Sequence, residues 1–248
     1  MGHGFFFYYA LWAVRYALIS GGAFLLFYVI FTQAFVHRRI QNKIPSRQDY
    51  LREIGSSLVT FIFFGIAAVI ILETPFKNYT QVYDNISDHG IAYFIFSIVI
   101  SLIFHDTYFY WLHRFFHHPK VFKTVHLLHH KSTNPSPWAS FAFHPLEAIL
   151  EAAVVFPIVL LIPIHPLALL GFLVLGQIYN VYGHLGFELY PRWFVQHPVG
   201  RWINTSLNHN MHHQFFKGNY GLYFRFWDEW MGTTHPQYDE RVEKLLSR

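Results

Sequence analysis

Cysteine is absent from all 248 residues, and charge is scarce, with Asp, Glu, Lys and Arg making up 13% of the chain. The first absence excludes disulfides, cysteine-rich zinc knuckles, iron–sulfur clusters and a thiol nucleophile. Any metal must be held by nitrogen and oxygen. The second absence points away from water, because a soluble domain carries about 25% charged residues. Hydrophobic residues fill 53% of the chain, with 28 Phe and 16 Tyr, which is the composition of a membrane protein. No basic stripe is interleaved with the aromatics, so a nucleic-acid partner is excluded. No H-E-x-x-H motif occurs, which argues against a zinc hydrolase of that type. No repeat of 20–50 residues is visible. The start, Met1-Gly2-His3-Gly4-Phe5, lacks a basic n-region and a small-residue cleavage site, so the first apolar run reads as a retained helix.

What is present sorts into apolar runs and histidine clusters. A spanning helix needs about 20 mostly apolar residues. Tyr8 to Thr32, Ser56 to Glu73 and Ile91 to Trp111 qualify, with Arg15 the one charge inside the first. Leu146 to Ile162 and Pro166 to Tyr182 form a hydrophobic hairpin (146–182), fully spanning or re-entrant, joined at Pro163-Ile164-His165-Pro166. The expected architecture is an all-α integral membrane protein of four or five embedded helices. Residues 1–112 supply the first of these, and 113–145 with 183–238 form a helical cap. The loop from His37 to Arg52 carries Arg38, Arg39, Lys43, Arg47 and Arg52, while Phe76 to Gly90 carries only Lys77 beside Asp84 and Asp88. By the positive-inside rule the cap is cytoplasmic and the amino terminus lies on the opposite side. Asn78-Tyr79-Thr80 and Asn85-Ile86-Ser87 fit a glycosylation pattern on that outer loop. The tail after Tyr238 is charged and reads as a short exposed helix or frayed end.

Three clusters gather nine histidines, His113, His117 and His118, then His126, His129 and His130, then His209, His212 and His213, and a tenth, His184, lies past the last apolar run. Spacings of three and four share a helix face, so each H-x-x-H-H box offers two or three nitrogens to one centre. So many imidazoles exceed the three or four of a single zinc site and suit two ions in one cavity. Asn180 and Glu188 lie four residues either side of His184 and offer an oxygen ligand or a supporting partner there. Asp106, Glu147 and Asp228 are the carboxylates placed to accept the outer N–H of ligating rings. His144, at the start of the fourth run, reads equally as a ligand or catalytic group and as a helix-start hydrogen-bonder. His105 reads as a packed or supporting group. His3, His37, His89, His165, His197 and His235 read as interfacial or loop residues. Tyr108 to Trp111 and Tyr223 to Trp230 read as an aromatic belt at the membrane surface, or as a clamp on a lipid chain.

On these residues the chain resembles the membrane sterol desaturase and fatty acid hydroxylase superfamily. The resemblance runs in order through His113-Arg114-Phe115-Phe116-His117-His118-Pro119, His126-Leu127-Leu128-His129-His130, His144-Pro145-Leu146-Glu147, His184, His209-Asn210-Met211-His212-His213 and Asn219 to Asp228. It implies a helical membrane fold with a cytoplasmic dimetal cap, and O2-dependent oxidation of a lipid C–H bond with electrons from an external donor, cytochrome b5-like or ferredoxin-like. The ligands it implies are His113, His117 or His118, His126, His129, His130, His184, His209, His212 and His213. Fatty acid hydroxylases have a histidine where this chain has Asn180, so one ligand is missing or replaced, and Asn180 joins His144 as a candidate catalytic residue.

The chemistry agrees. No side chain can remove a proton from an unactivated alkyl group, so the step requires O2 and a redox metal. Two iron ions fit that need. Zinc has no second oxidation state but suits imidazole, so purified protein can carry zinc in its place. The competing reading is a metal-transporting or metal-storing membrane protein, which requires ionisable residues along a mid-bilayer path.

Overall fold

The computed structural model describes residues 2–247. Among them the regular structure is helical, with three isolated β-bridges and no strands. Four helices are long and apolar enough to cross a membrane. They are α1 (Gly2–Phe24, continued as a π-helical stretch to Ile30), α2 (Arg47–Glu73), α3 (Gly90–Phe116), and, after α4 (Pro119–Val125), α5 (Leu127–His130), α6 (Pro145–Ala153) and α7 (Val155–Leu161), the helix α8 (Pro166–Gly183). The short helices α9 (Arg192–Gln196), α10 (Ser206–Phe215), α11 (Phe226–Trp230) and α12 (Tyr238–Leu246) complete the chain.

Local chemistry sets the ends of these helices. Ser46 opens α2 with a capping box, its hydroxyl accepting from Asp49 N while Asp49 accepts from Ser46 N at 2.9 Å. Proline stands in the first turn of α4, α6 and α8, where its missing N–H costs nothing. The apolar run 146–162 does not form the continuous fifth helix that its hydropathy allows. It breaks at Val154, because Pro157 has no N–H for the carbonyl four residues back and its ring collides with that turn.

α1, α2 and α3 alternate in direction, and α6 and α7 return the chain so that α8 runs the same way as α3. Glu73, at the end of α2, packs over Gly4 near the start of α1. At the same end, the turn after α7 docks on the 76–90 loop through Ile164 N to Gln81 O (3.1 Å) and His165 Nε2 to Asp84 O (3.0 Å). At the other end, Tyr16 and Ser57 donate to Trp138 O, at 2.7 and 3.2 Å. The core lies in three parts. Tyr16, Phe61, Phe64, Phe141 and Phe143 join α1, α2 and the 137–143 segment. Ile71, Ile158, Ile164 and Phe172 fill the end beside the 76–90 loop. The third part joins α9 and α10 to the tail. Tyr238, Val242 and Leu245, spaced along one face of α12, bury against Leu207 and Met211. The tail is therefore a packed amphipathic helix rather than a frayed end; its charges occupy only the outward face.

Candidate metal centre

Nine histidines converge in two adjoining groups at the end of the bundle away from the 76–90 loop. His113, His117, His126, His130 and His212 form one; His129, His184, His209 and His213 form the other. Each arrives by helical spacing. His113 occupies the last turn of α3 and His117 its C-cap, one turn on. His126 closes α4, and His129 and His130 belong to the single turn of α5. His184 closes α8, while His209, His212 and His213 share α10.

All nine point Nε2 inward. In the group of five, His113 and His126, His117 and His130, and His130 and His212 approach through Nε2 at 3.1, 3.1 and 3.0 Å. In the group of four, the pairs 129–184, 184–209 and 209–213 stand at 3.3, 3.1 and 3.2 Å. Five of the outer Nδ1 atoms are held separately. His113 donates to Tyr220 O (2.9 Å), His184 to Asn180 O (2.7 Å), His212 to Gly218 O (2.7 Å) and His213 to Ser132 O (3.0 Å). His126 donates to the carboxylate of Glu147 at 2.7 Å.

That arrangement is a test of fit. A carbonyl oxygen only accepts, so a ring bonded to it through Nδ1 carries its proton there, and Nε2 presents a bare lone pair. With Glu147 ionised and accepting from His126 Nδ1, His113 and His126 face each other lone pair to lone pair at 3.1 Å, which is repulsive unless a cation lies between them. Metal–nitrogen bonds of about 2.1 Å in a four- or five-coordinate shell place neighbouring nitrogens about 3.0–3.4 Å apart. The inner set is neutral nitrogen, suited to Fe or Zn and lacking the oxygen ligands that Mg or Ca require. Burial is the main cause that holds His126, His129, His130, His209, His212 and His213 well below the ordinary histidine value, with the neighbouring imidazoles adding to it. Burial also lowers His184, to about 4. Neutral rings are the form that binds metal.

The other expected site residues take different places. His118 is exposed and stands in neither group. It precedes Pro119, which forces it out of the helical region (φ −62°, ψ 133°), and its Nδ1 accepts from Lys120 N to cap α4. His144 caps α6 in the same way, accepting from Leu146 N at 3.3 Å, and lies outside both groups. Asn180 gives its amide N–H to Ser140 O at 2.6 Å, while its backbone carbonyl orients His184. Of the three carboxylates, Glu147 alone meets an imidazole. Asp106 accepts from Tyr223 N (2.6 Å) and Phe224 N (3.1 Å). Asp228 accepts from Tyr220 N (2.9 Å), Gly221 N (2.8 Å) and Thr233 Oγ1 (2.7 Å). These two acids clamp the 220–224 loop, and that loop's Tyr220 carbonyl holds His113. Glu188 accepts from Tyr182 OH, Leu207 N and Tyr190 N and so fixes the start of α10. Tight backbone serves the group of five too: Phe216, Gly218 and Asn219 all have positive φ, and a Cβ at Gly218 would sit 2.5 Å from Thr233 O.

An apolar cavity of about 140 Å³ opens beside the two groups. Its wall includes Phe109, Phe143 and Asn180, which contact His113, His129 and His184 in turn. Nothing in the sequence singles out its residues, since apolar letters on four helices carry no sign of where the helices part.

The comparisons with known proteins agree with this geometry. The fatty acid hydroxylase family pattern matches residues 98–233, and the chain belongs to that family. It is similar to a Delta(7)-sterol 5(6)-desaturase from Gibberella zeae, 32% identical over 218 residues, 85% of this chain and 62% of that protein. It is also similar to lathosterol oxidase from Mus musculus, 33% identical over 224 residues (87% and 73%), and from Homo sapiens, 29% over 218 (86% and 71%). The chain thus spans 62% to 73% of the length of these relatives. No solved structure matches it.

Proposed function

We propose that this protein is a membrane-embedded oxidoreductase that uses O2 to desaturate or hydroxylate a C–H bond of a lipid, a sterol foremost, with two iron ions held by the nine histidines. The observation that carries the reading is the convergence of nine imidazoles through Nε2, in groups of five and four, beside an apolar cavity. The relatives named for sterol desaturation and lathosterol oxidation support it.

His113, His117, His126, His130 and His212 would hold one ion, and His129, His184, His209 and His213 the other. Bound there, iron supplies the one-electron and O2 chemistry that no side chain can. The chain itself does the rest. Carbonyls of Tyr220, Asn180, Gly218 and Ser132 keep the Nδ1 proton on the outer side of each ring. Glu147 holds the His126 ring in place from its outer side. Phe109 and Phe143 separate the rings from bulk water and form the wall against which substrate lies. Asn180 ties that wall to His184.

The electrons would come from an external cytochrome b5-like or ferredoxin-like protein. The Arg- and Lys-rich segments flank the histidine end, and we assign that end to the cytoplasmic side, with the amino terminus opposite.

The test is the lipid profile and metal content of cells with and without the protein. We expect a lipid that gains an oxygen atom or loses two hydrogens, and about two irons per chain. His126→Ala and His209→Ala should each lower bound metal and abolish oxidation. Undiminished oxidation in both would overturn the site, and metal flux into vesicles without O2 uptake would favour transport.

A further inference from the structure

One buried acid lies apart from the histidine boxes and outside the matched pattern of residues 98–233. Glu53, near the start of α2, is 0% exposed. Its Oε1 accepts from Ser132 Oγ at 2.7 Å and its Oε2 accepts from Ser136 Oγ. Each serine oxygen also receives an N–H, Ser132 from Arg52 Nη2 (3.0 Å) and Ser136 from Trp138 N (3.3 Å). Guanidinium and backbone N–H groups only donate, so each hydroxyl proton is left for the acid. Glu53 is therefore an acceptor on both oxygens, as a carboxylate is. Burying such a group is costly unless it is well bonded, so what it holds in place matters.

Both serines lead to the group of four. Ser132 N donates to His129 O at 3.2 Å, and Ser132 O accepts from His213 Nδ1 at 3.0 Å. Ser136 caps the 137–141 turn. Ser140 O of that turn accepts from Asn180 (2.6 Å), and Asn180 O accepts from His184 Nδ1 (2.7 Å). One carboxylate thus reaches three of the four rings: His129 and His213 through Ser132, and His184 through the 137–141 turn. The group of five has other supports. His113 and His212 lean on Tyr220 O and Gly218 O, and His126 on Glu147. His130 shares a turn with His129, but its backbone N–H is anchored to His126 O at 3.2 Å.

We propose that Glu53 is a positioning residue for the group of four: it pins Ser132 and Ser136 so that His129, His184 and His213 keep the spacing that a metal ion requires. This rests on the metal centre proposed above and adds to it a residue of α2, far from the boxes in sequence. Glu53→Gln is the informative change. It keeps the volume, but an amide presents NH2 where one oxygen stood, so one serine meets a donor instead of an acceptor. Any shift of that segment carries the Ser132 carbonyl, and with it the His213 ring.

Metal binding rather than turnover tests the proposal. Detergent-purified protein stripped of metal is titrated with Co(II), following metal content and the visible Co(II) absorption. The parent should take up about two ions per chain. In Glu53→Gln one site should weaken at least about tenfold, while the other stays within about threefold of the parent. Two further backgrounds identify the weakened site. The site left in His117→Ala should lose at least about tenfold when Glu53→Gln is added. The site left in His213→Ala should stay within about threefold. Both sites weakened alike overturn the proposal, because the acid then supports the fold at large. Neither site weakened overturns it too, because the serines then keep their places unaided. So does a loss confined to the site left in His213→Ala. If Glu53→Gln does not fold, Ser132→Ala and Ser136→Ala, each removing one arm, are titrated in its place, and the same outcomes decide. A parent that takes up no Co(II) overturns the metal centre and this proposal together, whereas the other adverse results leave that centre standing.

Discussion

At the scale of single residues, the histidines divide by the identity of the next residue in the chain. Five precede proline: His118, His144, His165, His197 and His235. Each accepts through Nδ1 from the backbone N–H two residues on, at 3.1 to 3.3 Å, and none joins a metal group. Proline holds the preceding residue in extended backbone, which carries its side chain off the helix face and over the next turn. None of the nine convergent histidines precedes proline. The choice between His117 and His118 was thus legible in Pro119, and the place of His144 in Pro145. The partners of the outer nitrogens were not legible, because four of five are backbone carbonyls, which every residue has. We expect His118→Ala to keep the parent's metal content and turnover, and His117→Ala to lose metal from the group of five; elemental analysis of the purified variants checks both. Protonation sets a second expectation. The buried rings titrate well below 6.5, His184 at about 4, while in the unfolded chain they titrate near 6.5. Between those values the unfolded state binds protons that the folded state does not, so stability falls as pH drops from 6.5 toward 4, and metal binding falls with it. A melting temperature that held steady or rose on acidification through that window would contradict this account.

At the scale of elements, the sites depend on how loops are clamped to helices. Asp228 and Asp106 together take four backbone N–H groups of the 220–224 loop. Asp228→Asn leaves an amide NH2 facing one of those donors, at a cost of about 1–3 kcal/mol. We expect a lower melting temperature and weaker metal binding in the group of five, because the Tyr220 carbonyl moves with the loop. On the facing helix, a Cβ at Gly176 would lie 2.6 Å from Tyr223 Oη. Gly176→Ala should displace that hydroxyl from His105 and lower lipid turnover more than it lowers metal content. The tail makes a third case. Its apolar face was readable in Tyr238, Val242 and Leu245, spaced four and three apart, but intervening charges masked it. Val242→Asp should cost about 1.5–3 kcal/mol of cap stability, read by thermal melting. The broken helix at Val154 was likewise written in Pro157, though hydropathy alone favoured a continuous span.

At the scale of the whole molecule, four apolar helices and the order of the histidine boxes were legible because period and spacing survive in the letters. The cavity was not, since it exists only where side chains from α2, α3, α6 and α8 fail to meet. The division of nine histidines into five and four also needed the fold, because each group draws rings from three or more separate segments. On the proposed reading, that division makes a bound metal a structural member as well as a reagent. Without a cation, the Nε2 atoms stand 3.0 to 3.3 Å apart in a buried interior, and where both rings hold their protons on Nδ1, as His113 and His126 do against Tyr220 O and an ionised Glu147, the facing lone pairs repel. α5 and α10, which bring five of the nine rings, should therefore loosen when metal is stripped, while α1, α2 and α3 keep their lipid-facing structure. Hydrogen exchange on chelator-treated protein should show faster exchange across 126–132 and 206–216 and little change across 55–70. Zinc added back should restore protection there, because tetrahedral or five-coordinate nitrogen binding is all that the fold requires, yet leave O2 uptake at zero, because zinc has no second oxidation state. Iron should restore both. Equal exchange in stripped and loaded protein would mean that the histidines hold their places unaided, and the lone-pair argument for a bound cation would fall.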